Sequence, residues 1–408
     1  MGMTWTKEQQ QVIDLRNRNI LVSAAAGSGK TAVLVERIKE LVLDKKHPVD
    51  IDHLLVVTFT NAAAAQMKER VAKALEKALQ ENPSDVRLQQ QAALVQNAQI
   101  TTIDSFCLYV LRNHFHEIGL EPNFRIGDEG ELKLLREDVM TGLFEQCYEE
   151  KHPGFLHLIS CYGTSRSDAP VRDMIFKLYS YAQSYPWPKQ WLREALSCYE
   201  IKTEQELEQA PFIEMTVEYG KQMVKGYLEQ AEHYHELCQD VDGPYMYEEA
   251  CEQDVELMEK LLSCSTYQNF YEELGKCKFA TLGRAKDYIG SPEKQEQVKT
   301  ERKKLKDGIG KLKSDCFALT FQEILEQLTL VQPSAEALAE VTERFIDAFA
   351  ERKQDKNLVD FSDLEHFALE ILVEEETGKP TETAKEFQNA YEAVSYTHLR
   401  AHETCADL

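Results

Sequence analysis

Residues 24–31 read AAAGSGKT. A short apolar run at 20–22 precedes them, and an amphipathic run at 32–42 follows. That order predicts strand, glycine-rich loop and helix, the setting of a phosphate-binding loop. Gly27 and Gly29 let the backbone bend and bring its N–H groups against phosphate oxygens. The loop ends where a helix begins, and the free N–H groups and dipole there favour an anion. Lys30 is the ammonium that reaches the β- and γ-phosphates, and Thr31 is the hydroxyl that ligates Mg²⁺. The expected nucleotide contacts are Ser23, Ala24, Ala25, Ala26, Gly27, Ser28, Gly29, Lys30 and Thr31, with ATP and Mg²⁺ as the ligands. The strict pattern has glycine where this chain has Ala24. An ordinary glycine-containing turn is the alternative, and it does not account for GSGKT after a strand.

A chain of 408 residues is too long for one typical domain, and an apolar content of 43% is enough for sizeable cores. Ten cysteines are scattered without a CxxC spacing, which reads as reduced, mostly buried thiols. No run approaches the roughly 18 apolar residues of a membrane span. The N-terminus lacks a charged-then-apolar leader, so the cytoplasm is expected and no membrane partner. The net charge of −24 sits badly with nucleic acid, but its distribution counts for more than its total. Residues 1–110 hold 13 Lys/Arg against 12 Asp/Glu, so the acid lies elsewhere. That permits a local DNA groove, although excess acid also simply keeps a large protein soluble.

Residues 54–57, LLVV, predict a second buried strand, and 58–61 the loop at its carboxyl end. Ligands of open α/β sheets bind beyond the carboxyl ends of strands. The phosphate loop and this TFTN loop are therefore expected on one sheet edge. Met67, Val71, Leu75 and Ala78 recur at helical spacing, and Asp85 is a candidate cap for a further helix. Residues 98–103 predict a third strand, with Asp104 capping the helix of Phe106, Val110 and Leu111. Strands alternating with helices imply a parallel sheet.

From about 123 to 350 helical patterns dominate. Asp128 and Glu131 form a capping pair ahead of Leu132, Leu135, Val139 and Leu143. Prolines 186, 188, 211, 244, 292 and 333 punctuate the run. Residues 294–313 carry eight Lys/Arg, a run that guides DNA phosphates or, more commonly, is a solvated helix face. Residues 358–372, LVDFSDLEHFALEIL, put Phe361, Leu364, Ala368 and Ile371 on one apolar face.

Several stretches together carry a resemblance. Trp5-Thr6-Lys7-Glu8-Gln9, Ala24 with GSGKT, VTFTNAAA at 57–64 and TTIDSFC at 101–107 follow one another in order. They resemble the Q motif, the Walker A variant, motif Ia and the next single-strand-contact motif of superfamily-1 DNA helicases of the UvrD/Rep type. TTIDSFC is most similar to the RecB/AddA branch, and DFSDL at 360–364 resembles the motif before that family's Walker B strand. Residues 3–394 thus resemble the N-terminal part of AddA-type helicase–nuclease subunits.

The resemblance implies an α/β fold class. A P-loop RecA-like parallel sheet, motor domain 1A, would lie at 1–122 and 351–394, incomplete here. A large all-α 1B insertion would lie at 123–350. It implies that Gln9 contacts adenine and that Phe59, Thr60, Asn61, Thr102, Asp104, Ser105 and Phe106 line a single-strand path. It implies an ATP-driven helicase/nuclease working on single- and double-stranded DNA ends in double-strand-break repair, beside an AddB-type partner subunit.

Hydrolysis also needs carboxylates to hold the metal and position water. In the family an apolar strand ending in an Asp-Glu pair supplies them. Beyond Val394 the sequence predicts neither an apolar strand nor adjacent carboxylates, and Glu392 falls in a helical-looking run. Residues 395–408 read as a non-native tail in which His398, His402 and Cys405 are incidental, so the chain is expected to stop before Walker B. Two alternatives to an active motor stay open. One is a fragment that binds nucleotide and single strand without turnover. The other is a small-molecule kinase with a helical lid, against which TFTN and TTIDSF argue.

Overall fold

The computed structural model describes residues 4–25, 27–164, 167–284 and 288–396. They begin with α1 (Lys7–Asp14), α2 (Lys30–Leu43), β1 (Leu54–Thr58), α3 (Asn61–Glu81), α4 (Val86–Leu94), β2 (Gln99–Thr102) and α5 (Ile103–His114). After β3 (Arg125–Ile126) come α6 (Glu129–Glu149), α7 (Pro153–Tyr162), α8 (Ala169–Ala182), α9 (Pro188–Leu196), α10 (Glu204–Glu208), α11 (Pro211–Gln239), α12 (Glu248–Leu262), α13 (Tyr267–Lys276), α14 (Pro292–Cys316) and α15 (Phe321–Asp355). The chain goes on with β4 (Leu358–Val359), α16 (Phe361–Leu372), α17 (Glu382–Ala390) and β5 (Ala393–Tyr396).

Two compact units result. One, the α/β unit, comprises Met1–Leu143, Gln183–Trp187 and Phe345–Leu408; the other, the helical unit, comprises Phe144–Ala182 and Pro188–Arg344.

In the α/β unit β1 is buried at every position, as an apolar strand inside a parallel sheet must be. The sheet order is β2-β1-β5, all parallel. Ile38, Leu41 and Val42 of α2 and Met67, Val71 and Leu75 of α3 pack with Leu54, Val56 and Ile100. Burying such side chains stabilises by about 1.5–3 kcal/mol each. A second core joins Cys107, Val110 and Leu111 of α5 to Leu364, Ala368 and Ile371 of α16. Asp85 caps α4, accepting from the N–H groups of Arg87 and Leu88.

The helical unit is built on α11. Its Ile213, Val217 and Val224 share a core with Met258 and Leu261 of α12 and with Val298, Leu305 and Ile309 of α14. A Cβ on Gly220 would stand 3.0 Å from the Phe317 ring, so any larger residue would have to push that buried ring aside. Within this core Arg302 and Asp254 form an ion pair at 3% and 1% exposure. Tyr234 donates to the same carboxylate at 2.9 Å, and Arg302 donates to the Ala280 carbonyl at 2.9 Å. Buried charges hold such positions only when their hydrogen bonds are filled in this way.

Several expectations are corrected. Residues 20–22 make no ladder among the described residues, and Leu21 and Val22 are 98% and 46% exposed. An apolar run becomes a strand only where a neighbouring strand offers hydrogen bonds, and both edges of β1 are taken, by β2 and by β5. The cap of α5 is Thr102, which accepts from Ser105 N–H, while Asp104 falls inside the first turn. The pair expected at the start of α6 is present, Asp128 accepting from Gly130 N–H and Glu131 lying against the Asp128 N–H, but Glu131 is also taken by both guanidinium nitrogens of Arg125 at 2.8 Å. Pro333 lies inside α15 rather than ending it. Phe361 is 60% exposed and leaves the apolar face of α16 to Leu364, Ala368 and Ile371.

A strand does follow the last motif. β5 starts at Ala393, and its ladder with β1, not its modest hydrophobicity, decides it. Glu392 precedes that strand outside any helix, and its N–H donates to the His53 carbonyl at 2.9 Å. Ser395 and Tyr396 belong to β5, and 397–408 lie outside the described residues.

Of the eight cations at 294–313, three are turned to internal tasks. Lys294 pairs with Asp240 and Asp242, Arg302 is buried, and the Lys306 ammonium lies 5.2 Å from the Phe279 ring.

Candidate functional site

Gly27 and Gly29 hold φ values of 74° and 83°, which side-chain-bearing residues rarely adopt. A Cβ on Gly27 would meet nothing within 4 Å, so conformation rather than crowding calls for glycine there. Gly29 is the N-cap of α2 and supplies no side chain to accept from the first-turn N–H groups. Those donors and the helix dipole face the loop. The Lys30 ammonium folds over the loop and donates to the Ala24 carbonyl at 3.1 Å. Ser28 N–H donates to the Ala25 carbonyl at 3.3 Å. Thr31 follows in the first turn of α2 and is half-buried, while Ser23, Ala24 and Ala25 are exposed. Ala26 lies outside the described residues.

Backbone N–H groups, one ammonium and one hydroxyl are a donor set for a polyphosphate. Thr31 also offers a hard oxygen suited to Mg²⁺. No group of three or more His, Cys, Asp or Glu able to hold a metal occurs among the described residues.

Gln9 stands beside this loop. It closes a capping box at the start of α1: its Oε1 accepts from Thr6 N–H at 2.9 Å, and Thr6 Oγ1 accepts from Gln9 N–H at 3.3 Å. Its Nε2 donates to the Ser28 carbonyl at 3.1 Å. At the other end of α1, Arg37 of α2 donates to the carbonyls of Val12 and Leu15. Arg16 donates to those of Ile13 and Leu15. Burial holds the Arg37 pKa below the usual guanidinium range, and the charge of Arg16 adds to the effect. Arg37 was not a sequence candidate, because its partners are backbone carbonyls 22 to 25 residues away.

The register Thr58↔Thr102 brings the TFTN and TTIDSF segments to one sheet edge. Phe59 is 60% exposed there, and Thr60 and Asn61 are exposed beside it. Thr60 caps α3 by accepting from Ala63 N–H. Thr102 is buried, and its hydroxyl meets that of Ser105 at 2.9 Å. Asp104 and Ser105 are half-buried. Phe106 packs edge-on against Phe387 and Tyr391, with ring centroids 6.0 and 6.3 Å away. Phe59 and Asn61 are thus exposed, whereas Thr102 is buried and Phe106 is half-buried against two rings. With no ladder at 20–22, no strand among the described residues ties the phosphate loop to this edge.

The DFSDL segment holds an ion cluster that the sequence did not assign. Lys353 donates to Asp360 at 2.8 Å and to Asp363 at 2.6 Å, and the two aspartates close a capping box on α16. Burial pushes Asp360 up, but the charge and hydrogen bond of Lys353 bring it below the usual carboxylate range. Burial prevails at Asp363 and leaves its pKa raised.

Comparison with known proteins places the chain among helicases. The model of the UvrD/REP helicase N-terminal domain matches residues 5–395. A protein of Lachnoclostridium phytofermentans, named as the A-type subunit of an ATP-dependent helicase/nuclease, is 41% identical over 395 residues, 95% of this chain and 29% of that protein. Proteins of the same name from Clostridium botulinum and Thermoanaerobacter sp. are 38% and 39% identical. These alignments cover 96% and 97% of this chain, and 32% of each relative. The chain therefore spans about a third of the length of the curated relatives it matches.

Proposed function

This chain belongs to the UvrD/REP helicase N-terminal domain family, and from that premise we propose that it is the nucleotide- and DNA-binding part of one subunit of an ATP-dependent helicase/nuclease. The relatives' shared name supports the helicase/nuclease and subunit parts of this reading, and the reading extends, on the motif resemblance alone, to work at DNA ends in break repair, a different partner subunit and a cytoplasmic setting. Among the described residues no helix is long and apolar enough to cross a membrane. In this reading the α/β unit is a RecA-like motor domain 1A and the helical unit its 1B insertion.

One observation carries the assignment. A helix opens at a left-handed Gly29, without a side-chain cap, beside Lys30, Thr31 and the Gln9 amide. Lys30 leaves the Ala24 carbonyl for the β- and γ-phosphates, and the first-turn N–H groups of α2 take phosphate oxygens. Thr31 would hold Mg²⁺, which when bound neutralises phosphate charge. Phe59 and Asn61 receive the single strand, with Phe59 stacking on bases irrespective of sequence. Thr60, Thr102 and Ser105 shape that edge, and Asp104 and Phe106 stand behind it.

Lys30→Ala tests the site by calorimetry with ATP and Mg²⁺. The substitution should weaken binding at least about tenfold, or about 1.4 kcal/mol. Equal affinity in both proteins would dismiss this placement.

A second reading, binding without turnover, is favoured by one feature. β5 leads through Ser395 and Tyr396 into Thr397 and His398, with no carboxylate at its carboxyl end.

A further inference from the structure

Arg37 lies well inside α2, two turns beyond Lys30. Among the described residues its guanidinium donates to no carboxylate; it meets the last carbonyls of α1 at Val12, Ile13 and Leu15. An eight-residue helix is marginal by itself, and in α1 only Ile13 is buried. The position of α1 thus depends on Ile13, on the Arg37 clamp at one end and on the Gln9–Ser28 hydrogen bond at the other. A cation at these carbonyls also opposes the negative end of the helix dipole.

Gln9 shows what the clamp serves. An amide side chain has two N–H donors and two acceptor lone pairs. Gln9 commits one acceptor to Thr6 N–H and one donor to the Ser28 carbonyl. These bonds fix which end of the amide is oxygen and leave one donor and one acceptor side by side. That pair matches the N7 acceptor and N6 amino donor of adenine, and guanine, with O6 in place of the amino group, offers the amide oxygen no donor. The selection works only if α1 cannot rotate or slide on α2.

We propose that Arg37 is a positioning residue for base selection: by clamping the carboxyl end of α1 to α2, it holds the Gln9 amide where it distinguishes adenine from guanine nucleotides. The inference rests on the nucleotide-site reading above. Its signature is a change in base preference without a change in phosphate binding.

The test is displacement of a fluorescent ATP analogue by ATP, GTP and tripolyphosphate from wild type, Gln9→Ala, Arg37→Met and the double variant. Gln9→Ala and Arg37→Met should each cut the ATP-over-GTP preference about tenfold, as for one or two lost hydrogen bonds. The double variant should lose no more than either single one, and tripolyphosphate should bind all four alike. If Gln9→Ala lowers the preference and Arg37→Met does not, the clamp has no such role. If Arg37→Met weakens all three ligands equally, Arg37 is only a structural residue and the inference falls. If Gln9→Ala itself leaves the preference unchanged, the adenine reading fails and the inference with it. Should Arg37→Met not fold, Arg37→Gln, which still donates to one carbonyl, is measured in the same way, and an unchanged preference again overturns the proposal.

Discussion

In the helical unit Arg302 and Asp254 are almost inaccessible and find their partners in each other, in Tyr234 and in a backbone carbonyl. In the α/β unit Lys30, Thr31, Phe59 and Asn61 stand at loop ends and helix starts, exposed or half-buried. The buried ion pair breaks the rule that charge lies on surfaces, and Phe59 breaks the rule that apolar rings lie in cores, in the opposite direction. A buried polar group whose hydrogen bonds are filled is part of the architecture. An exposed ring at a sheet's edge, or a helix start without a side-chain cap, presents its surface to whatever docks there. Deviation from the rule therefore does not mark function by itself; what matters is whether the surrounding fold has closed over the group.

The largest expected effect concerns catalysis. With saturating single-stranded DNA and Mg²⁺, phosphate release should stay near background. The described β5 end has no carboxylate to hold the metal and position the attacking water. DNA-stimulated hydrolysis that Lys30→Ala abolishes would show that the α/β unit holds a complete apparatus, and would end that side of the comparison.

The next effect is on stability. Arg302→Met leaves Asp254 buried without its cation and should cost about 3–5 kcal/mol in urea unfolding. Nucleotide affinity of the folded protein should not move. A loss under about 1 kcal/mol would mean that Arg302 is paired no more tightly than a surface ion pair.

Phe59→Ala and Phe106→Ala give the smallest and sharpest contrast. Phe59→Ala should weaken single-strand binding by about 1–3 kcal/mol in fluorescence anisotropy, at unchanged melting temperature. Phe106→Ala should do the reverse, since its ring packs on Phe387 and Tyr391. Equal behaviour of the two would remove the distinction between the exposed and the packed ring on this edge.

Much of this was legible in the sequence. The spacing of Met67, Val71 and Leu75 and the unbroken LLVV pointed to α3 and β1, because local period and local burial are the same fact there. The glycines of the phosphate loop were legible for the same reason, as their φ values are a local demand. What escaped was decided at long range. Residues 20–22 have a strand's composition but join no ladder among the described residues, while β5 has weak composition and a partner in β1. Arg302 looked like one cation in a basic run until Asp254, 48 residues away, claimed it. Arg37, read as a helix residue, meets carbonyls of another helix. Pro333 suggested a break, but proline removes one N–H from a helix, and the 35-residue α15 tolerates that loss.

The ladder between Leu54 and Ala393 joins two ends of the sequence that are synthesised far apart in time. On a ribosome adding about 5–20 residues each second, β1 would wait about 20–70 s for β5 to be made. The helical unit's core, drawn from residues 207 to 321, is complete before that. For tens of seconds the nascent chain thus carries a β1 that has β2 on one edge and nothing yet on the other, and only in the last about 4–14 s of that wait is the helical core already complete. That interval is when a chaperone, or a neighbouring unfinished chain, has its opportunity at β1.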